Sequence, residues 1–119
     1  MRILVVDDEP MVRFLLVRFL EEEGHTVDEA ADGIDALEQL NRRAYDLLIT
    51  DVHMPRMCGI DLVRALRRQG NRVPILVMDS YPDLFTESDV GVDAFALLAK
   101  PFDLSEVRRV LQRLQPQPV

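Results

Sequence analysis

Four short apolar runs punctuate the chain, and each ends in polar or charged residues. Residues 3–6 run into Asp7-Asp8, residues 47–50 into Asp51, residues 74–78 into Asp79-Ser80 and residues 94–99 into Lys100. Runs of this length, bounded by turn-forming residues, predict buried strands. A fifth stretch, residues 26–30, alternates weakly, as an edge strand does. Between the runs, apolar residues recur at helical spacing. Val12, Leu15, Leu16, Phe19 and Leu20 follow Pro10, a natural first helical residue with Asp8 or Glu9 as its cap. Ile34, Leu37 and Leu40 follow the Asp32-Gly33 turn. Ile60, Val63 and Leu66 follow Gly59, and Leu104, Val107, Leu111 and Leu114 form a last helix.

Strands and helices therefore alternate roughly every twenty to twenty-five residues, the pattern of βα units and a parallel sheet. Right-handed crossovers place helices on both faces. Residues 81–92 fit this rhythm poorly. Asp83, Glu87 and Asp89 interrupt the apolar positions, which predicts a short or irregular helix. Residues 1–114 read as one domain, and residues 115–119, rich in Gln and Pro, as a tail or the start of a linker.

Composition narrows the function classes. At 48% apolar residues, 119 residues suffice for one core. The net charge of −7 and the scattered arginines argue against a nucleic-acid footprint. No apolar stretch is long enough to span a membrane, and the first apolar run is too short for a signal peptide. The lone Cys58 excludes an internal disulfide and fits a reducing cytoplasm.

The acidic strand ends carry the candidate chemistry. Ligands of open parallel sheets bind at the carboxyl ends of the strands. If the first and third strands are neighbours, Asp7, Asp8 and Asp51 share one crevice, where three carboxylates repel one another. A hard divalent cation such as Mg²⁺ relieves that conflict, and no Cys or His cluster supports zinc. An aspartate in such a place can act as a nucleophile and form an aspartyl phosphate, with Lys100 neutralising a phosphoryl oxygen. Blander readings exist for each residue alone. Asp7-Asp8 can cap a helix, Asp51 a turn before Pro55, and Lys100 can be a solvated lysine. His53 reads as a loop histidine, Cys58 as a small packing residue.

Together these residues carry a resemblance. Leu4-Val5-Val6-Asp7-Asp8-Glu9-Pro10 is followed by Asp32-Gly33 with Ala36-Leu37. Next come Asp46-Leu47-Leu48-Ile49-Thr50-Asp51-Val52-His53-Met54-Pro55 with Gly59, then Lys100-Pro101-Phe102. Over essentially its whole length the chain resembles the receiver domain of bacterial two-component response regulators. The resemblance implies a flavodoxin-like, doubly wound α/β fold with five parallel strands in the order 2-1-3-4-5 and five helices; that order is a known receiver example. It implies that Asp51 accepts a phosphoryl group from a sensor histidine kinase or phosphotransfer protein. Asp7, Asp8, Asp51 and the backbone carbonyl of His53 would bind Mg²⁺, and Lys100 would contact the phosphoryl group. The implied protein is a phosphoryl acceptor rather than a turnover enzyme. It would signal by shape to an output domain or protein, with homodimerisation open.

The chain departs from the family in its second half. The usual Thr or Ser after the fourth strand falls on Asp79, with Ser80 one step later. Either a bulge brings Ser80 to the phosphoryl group or the switch hydroxyl is missing. A one-residue slip swaps faces, and a carboxylate beside phosphate is electrostatically poor, which favours Ser80. The usual aromatic residue three before the lysine is Leu97, Phe95 lies five before, and residues 91–100 are about two longer than usual. These departures favour one alternative, a binding module insensitive to phosphorylation; a second, an aspartyl phosphohydrolase, ranks last because Asp51-Val52-His53 lacks an acid two residues on.

Overall fold

The computed structural model describes residues 1–54, 56–79 and 96–114. Its elements run β1 (Arg2–Val6), α1 (Pro10–Glu22), β2 (Thr26–Ala30), α2 (Gly33–Arg42), β3 (Leu47–Asp51), α3 (Gly59–Arg68), β4 (Ile75–Asp79), β5 (Ala96–Ala99) and α4 (Leu104–Leu114). The strands form one sheet in the order β2-β1-β3-β4-β5, and every pairing is parallel. The expected order is therefore observed. The irregular helix expected over residues 81–92, Phe95 and the 115–119 tail lie outside the described residues.

Alternation along the central strands splits the core into two layers. Leu4, Val6, Leu48, Ile75 and Val77 meet α2 and α3 on one face. Ile3, Val5, Leu47, Ile49, Leu76 and Met78 meet α1 and α4 on the other. β1, β3 and β4 are buried on both sides, which explains their unbroken apolar runs. β2 is an edge strand, as its weak alternation predicts. β5 forms the opposite edge, and Leu97 on it is exposed.

The helices differ in detail from the periodicity. Glu9 is the N-cap of α1, with Pro10 behind it, but its side chain makes no capping bond. Instead Glu9 N–H donates to Asp7 Oδ1 at 2.9 Å. Leu16, Phe19 and Leu20 face the core, whereas Leu15 is exposed together with Met11 and Phe14. At α4, Val107, Val110 and Leu111 are buried, and Leu104 is exposed. Arg108 caps the α1 contact, 2.6 Å from Glu23 and over the Phe19 ring.

Candidate functional site

β1 and β3 are adjacent and in register, Val6 opposite Thr50, so Asp7 and Asp51 leave the sheet side by side. Carboxylate oxygens of Asp7, Asp8 and Asp51 lie within 4.8 Å of one another. Asp7 and Asp51 are buried, and Asp8 is exposed at the mouth. Among the described residues this is the one group of its kind.

Local backbone contacts fix Asp51. Val52 N–H donates to Asp51 Oδ1 at 2.9 Å, and the Thr50 hydroxyl donates to the Asp51 carbonyl at 3.0 Å. Gly59 N–H donates to the Val52 carbonyl at 2.8 Å, drawing the start of α3 against the strand end. A Cβ on Gly59 would run into the Asp51 carbonyl. The approach of two backbones thus requires glycine there. Arg56, with φ of 68°, ties the same loop to the N-cap of α2 through a 2.9 Å contact with Asp32. The Arg56 hydrogen bond holds the Asp32 carboxyl below the usual carboxylate range.

Lys100 reaches over from the end of β5. Its Nζ lies 3.0 Å from Asp7 Oδ2, 3.4 Å from Asp51 Oδ2 and 3.8 Å from Glu9 Oε1. The Lys100-Pro101 peptide is cis. Burial pushes the Asp51 carboxyl up to about 6, although Lys100 pulls it down; Asp7 adds to the rise. Burial also works against the charged form of Lys100. The hydrogen bond to Asp7 and the charges of Asp7, Asp51 and Glu9 outweigh it and raise its pKa. The cluster is an all-oxygen donor set with surplus negative charge, which one lysine relieves in part. That chemistry fits a hard divalent cation.

The structure brings four of the residues singled out in the sequence together: Asp7, Asp8, Asp51 and Lys100. Asp79 closes β4 in unbroken register, opposite Ala99, and is fully buried. It stands apart from the carboxylate group, and its Oδ1 lies 3.2 Å from His53 Nε2. Ser80 lies outside the described residues. Two participants were missed in the sequence. Glu9 extends the charge around Lys100, and Arg13 donates to the Asp7 carbonyl at 2.6 Å while pairing with Glu29. Arg13 was readable only as one more polar position of α1. The His53–Asp79 contact was also missed, although Asp79 ends β4 and His53 lies two residues past the end of the neighbouring β3.

An open parallel sheet with clustered carboxylates and one lysine at its carboxyl edge defines a cation-binding and phosphoryl-handling class of α/β domain. The chain belongs to the response regulator receiver domain family, which it matches over residues 3–112. Response regulator MprA of Mycobacterium leprae is 42% identical over 123 residues, 98% of this chain and 53% of that protein. MprA of Mycobacterium tuberculosis is 41% identical, with the same coverage. The chain thus spans about half the length of the curated relatives it matches. Among solved structures, TrrA from Thermotoga maritima, in complex with Mg²⁺–BeF, superposes with a TM-score of 0.87 at 32% identity, over 96% of this chain and 98% of that one. The receiver domain of a sensor histidine kinase from Pseudomonas aeruginosa, with magnesium coordinated in its active-site cleft, gives 0.85 at 33% identity, over 95% of each chain.

Proposed function

We propose that this receiver domain accepts a phosphoryl group on Asp51 and signals through the resulting change of shape. The observation that carries the reading is the convergence of three carboxylates with the Lys100 ammonium, 3.4 Å from Asp51. Asp7, Asp8 and Asp51 are the residues that would hold Mg²⁺, with the backbone carbonyl of His53 added by family resemblance. The ion, when bound, offsets the clustered negative charge and that of the incoming phosphoryl oxygens.

The chain's own residues do the rest. An Asp51 carboxylate oxygen forms the new bond to phosphorus as the bond to the donor's histidine nitrogen breaks. Lys100 supplies positive charge where the phosphoryl oxygens arrive, and Asp7 keeps Lys100 in place. Nothing in this chemistry regenerates a small-molecule product in cycles, so the domain is a signalling acceptor rather than a turnover enzyme.

A sensor kinase or phosphotransfer protein is the fitting donor. An apolar groove of about 580 Å³, lined by Val12, Leu15, Leu16, Phe102 and Leu104, runs up to Glu9 and Lys100. With Leu15 and Leu104 exposed along it, it offers an apolar docking face next to the site. The recipient of the signal is an output domain or a separate protein, and self-association is a further route. Among the described residues no helix is long and apolar enough to cross a membrane, and a cytoplasmic location suits the family. The second reading, a binding module insensitive to phosphate, is favoured by one observation: a buried carboxylate, Asp79, stands at the family's hydroxyl position.

Intact mass after incubation with a small acyl phosphate separates the readings. One added phosphoryl that requires Mg²⁺ and is absent in Asp51→Asn supports the acceptor. No adduct at the shortest times, alongside measurable Mg²⁺ binding, supports the binding module.

A further inference from the structure

Arg13, near the start of α1, grips the backbone between two of the clustered acids. Its Nη1 donates to the Asp7 carbonyl at 2.6 Å, and that carbonyl belongs to the peptide joining Asp7 to Asp8. Its Nε donates to Glu29 Oε1 at 3.0 Å. Glu29 lies on β2 opposite Val5, and its own carbonyl accepts from Gln39 of α2 at 2.8 Å, so the guanidinium is itself anchored. The Arg13 side chain is only 20% exposed, which shields the bond to Asp7 from water. Asp7 is thereby held at every polar atom. Its N–H donates to the Ala30 carbonyl at 3.2 Å, Oδ1 accepts from Glu9 N–H at 2.9 Å, and Oδ2 lies 3.0 Å from Lys100 Nζ. Asp8 differs. It is exposed at the mouth of the crevice, so the backbone it springs from decides where its carboxylate can reach.

We infer that Arg13 is a positioning residue for the cation site. By fixing the plane of the Asp7–Asp8 peptide, the Arg13–Glu29 brace holds the exposed Asp8 carboxylate beside the buried pair and so sets the affinity for Mg²⁺. The inference rests on the proposal that Asp7, Asp8 and Asp51 hold that ion. Groups that orient a metal's ligands without touching the ion commonly govern about tenfold or more of its affinity. The charge of Arg13 acts the other way, because a guanidinium bonded to the Asp7 backbone repels an incoming cation. Orientation and charge therefore predict opposite signs for its removal.

The test is a titration of the full chain with Mg²⁺, followed by backbone amide shifts in NMR. Arg13→Met, which keeps the aliphatic stem, is expected to weaken Mg²⁺ binding about 10-fold. Arg13→Lys keeps the charge and one donor group, and should lie between Arg13→Met and the parent. The double variant Arg13→Met with Glu29→Ala has the parent's net charge, yet should bind as weakly as Arg13→Met. In an Asp8→Asn background, Arg13→Met should cost little more, because the acid it positions is gone. The Asp7 carbonyl ¹³C signal should move in Arg13→Met without metal, a direct reading of the lost bond. Should Arg13→Met fail to fold, Glu29→Ala reads the same brace. Positioning then predicts a loss that disappears in Asp8→Asn, whereas charge alone predicts the same factor in both backgrounds. Unchanged or tighter Mg²⁺ binding in the variant that folds, or an equal loss with and without Asp8, would overturn the proposal and leave the cation site standing. No Mg²⁺ binding by the parent, or parent-like binding by Asp8→Asn, would overturn both.

Discussion

Replacing Asp51 with asparagine should make the metal-free protein more stable at neutral pH. Burial raises the Asp51 carboxyl from 3.8 to about 6, net of the opposing pull of Lys100. An acid whose folded pKa is raised stabilises the fold only in its neutral form. That stabilisation is complete below the unfolded pKa and is lost as pH climbs through about 6. The gap corresponds to roughly 3 kcal/mol at pH 7.5 as an upper bound. Water at the open mouth screens the charge, which brings the expected gain to about 1–2 kcal/mol. For a domain of this size that raises the melting temperature by roughly 4 to 10 °C. The assay is thermal and urea unfolding by circular dichroism in EDTA, at pH 7.5 and again at about pH 4.5. The advantage of Asp51→Asn should shrink at the lower pH, where the parent carboxyl is mostly protonated. Saturating Mg²⁺ should narrow it from the other side, by stabilising the parent more than the variant. A variant no more stable than the parent in EDTA at pH 7.5, or an advantage unchanged at low pH, would refute the argument that burial of this charge strains the fold.

Three further outcomes follow from named contacts. Gly59→Ala places a Cβ against the Asp51 carbonyl, so it should cost about 1–3 kcal/mol in urea unfolding and weaken Mg²⁺ binding together. Lys100→Met removes the one ammonium 3.0 Å from Asp7 and 3.4 Å from Asp51. The midpoint of the Asp51 carboxyl resonance in an NMR titration should then move further above its usual range, and acyl-phosphate labelling should fall. Tyr45→Phe deletes the 2.7 Å hydrogen bond to Asp28, which helps push the tyrosine hydroxyl up to about 12 after burial itself. The expected loss is about 1 kcal/mol of unfolding free energy, with no change in labelling, because the contact lies away from the carboxylate crevice.

The fold was legible where apolar runs were pure. β1, β3 and β4 are buried on both faces, so an unbroken run was the right signal, and turn residues marked the ends. The edges were readable in kind but not in extent. The start of the fifth strand, expected at residue 94, is described only from Ala96. The carboxylate crevice was legible because each acid sits at the end of such a run, and parallel register then brings the ends together. Contacts made across strands were not. His53 and Asp79 are 26 positions apart, and neither alone signals the other. Apolar periodicity also over-assigned the core. Leu15 and Leu104 fit their helical faces by spacing, yet both are exposed beside the groove that runs to Lys100. Periodicity records which residues share a face, not whether that face is covered.

Asp79 joins two parts of the site that the sequence keeps far apart. Its side chain meets His53, and its carbonyl accepts a 2.7 Å hydrogen bond from Lys100 N–H, while β4 and β5 pair through Asp79 and Ala99. Lys100 in turn carries the charge that balances Asp7 and Asp51. A new negative group on Asp51 therefore competes for Lys100 at its ammonium, while the backbone of the same residue stays fastened to Asp79. A redirected Lys100 side chain would therefore pull on a backbone already fastened to the end of β4. The link needs no hydroxyl at position 79. It needs a strand end that anchors both Lys100 and His53, which a buried aspartate in register supplies.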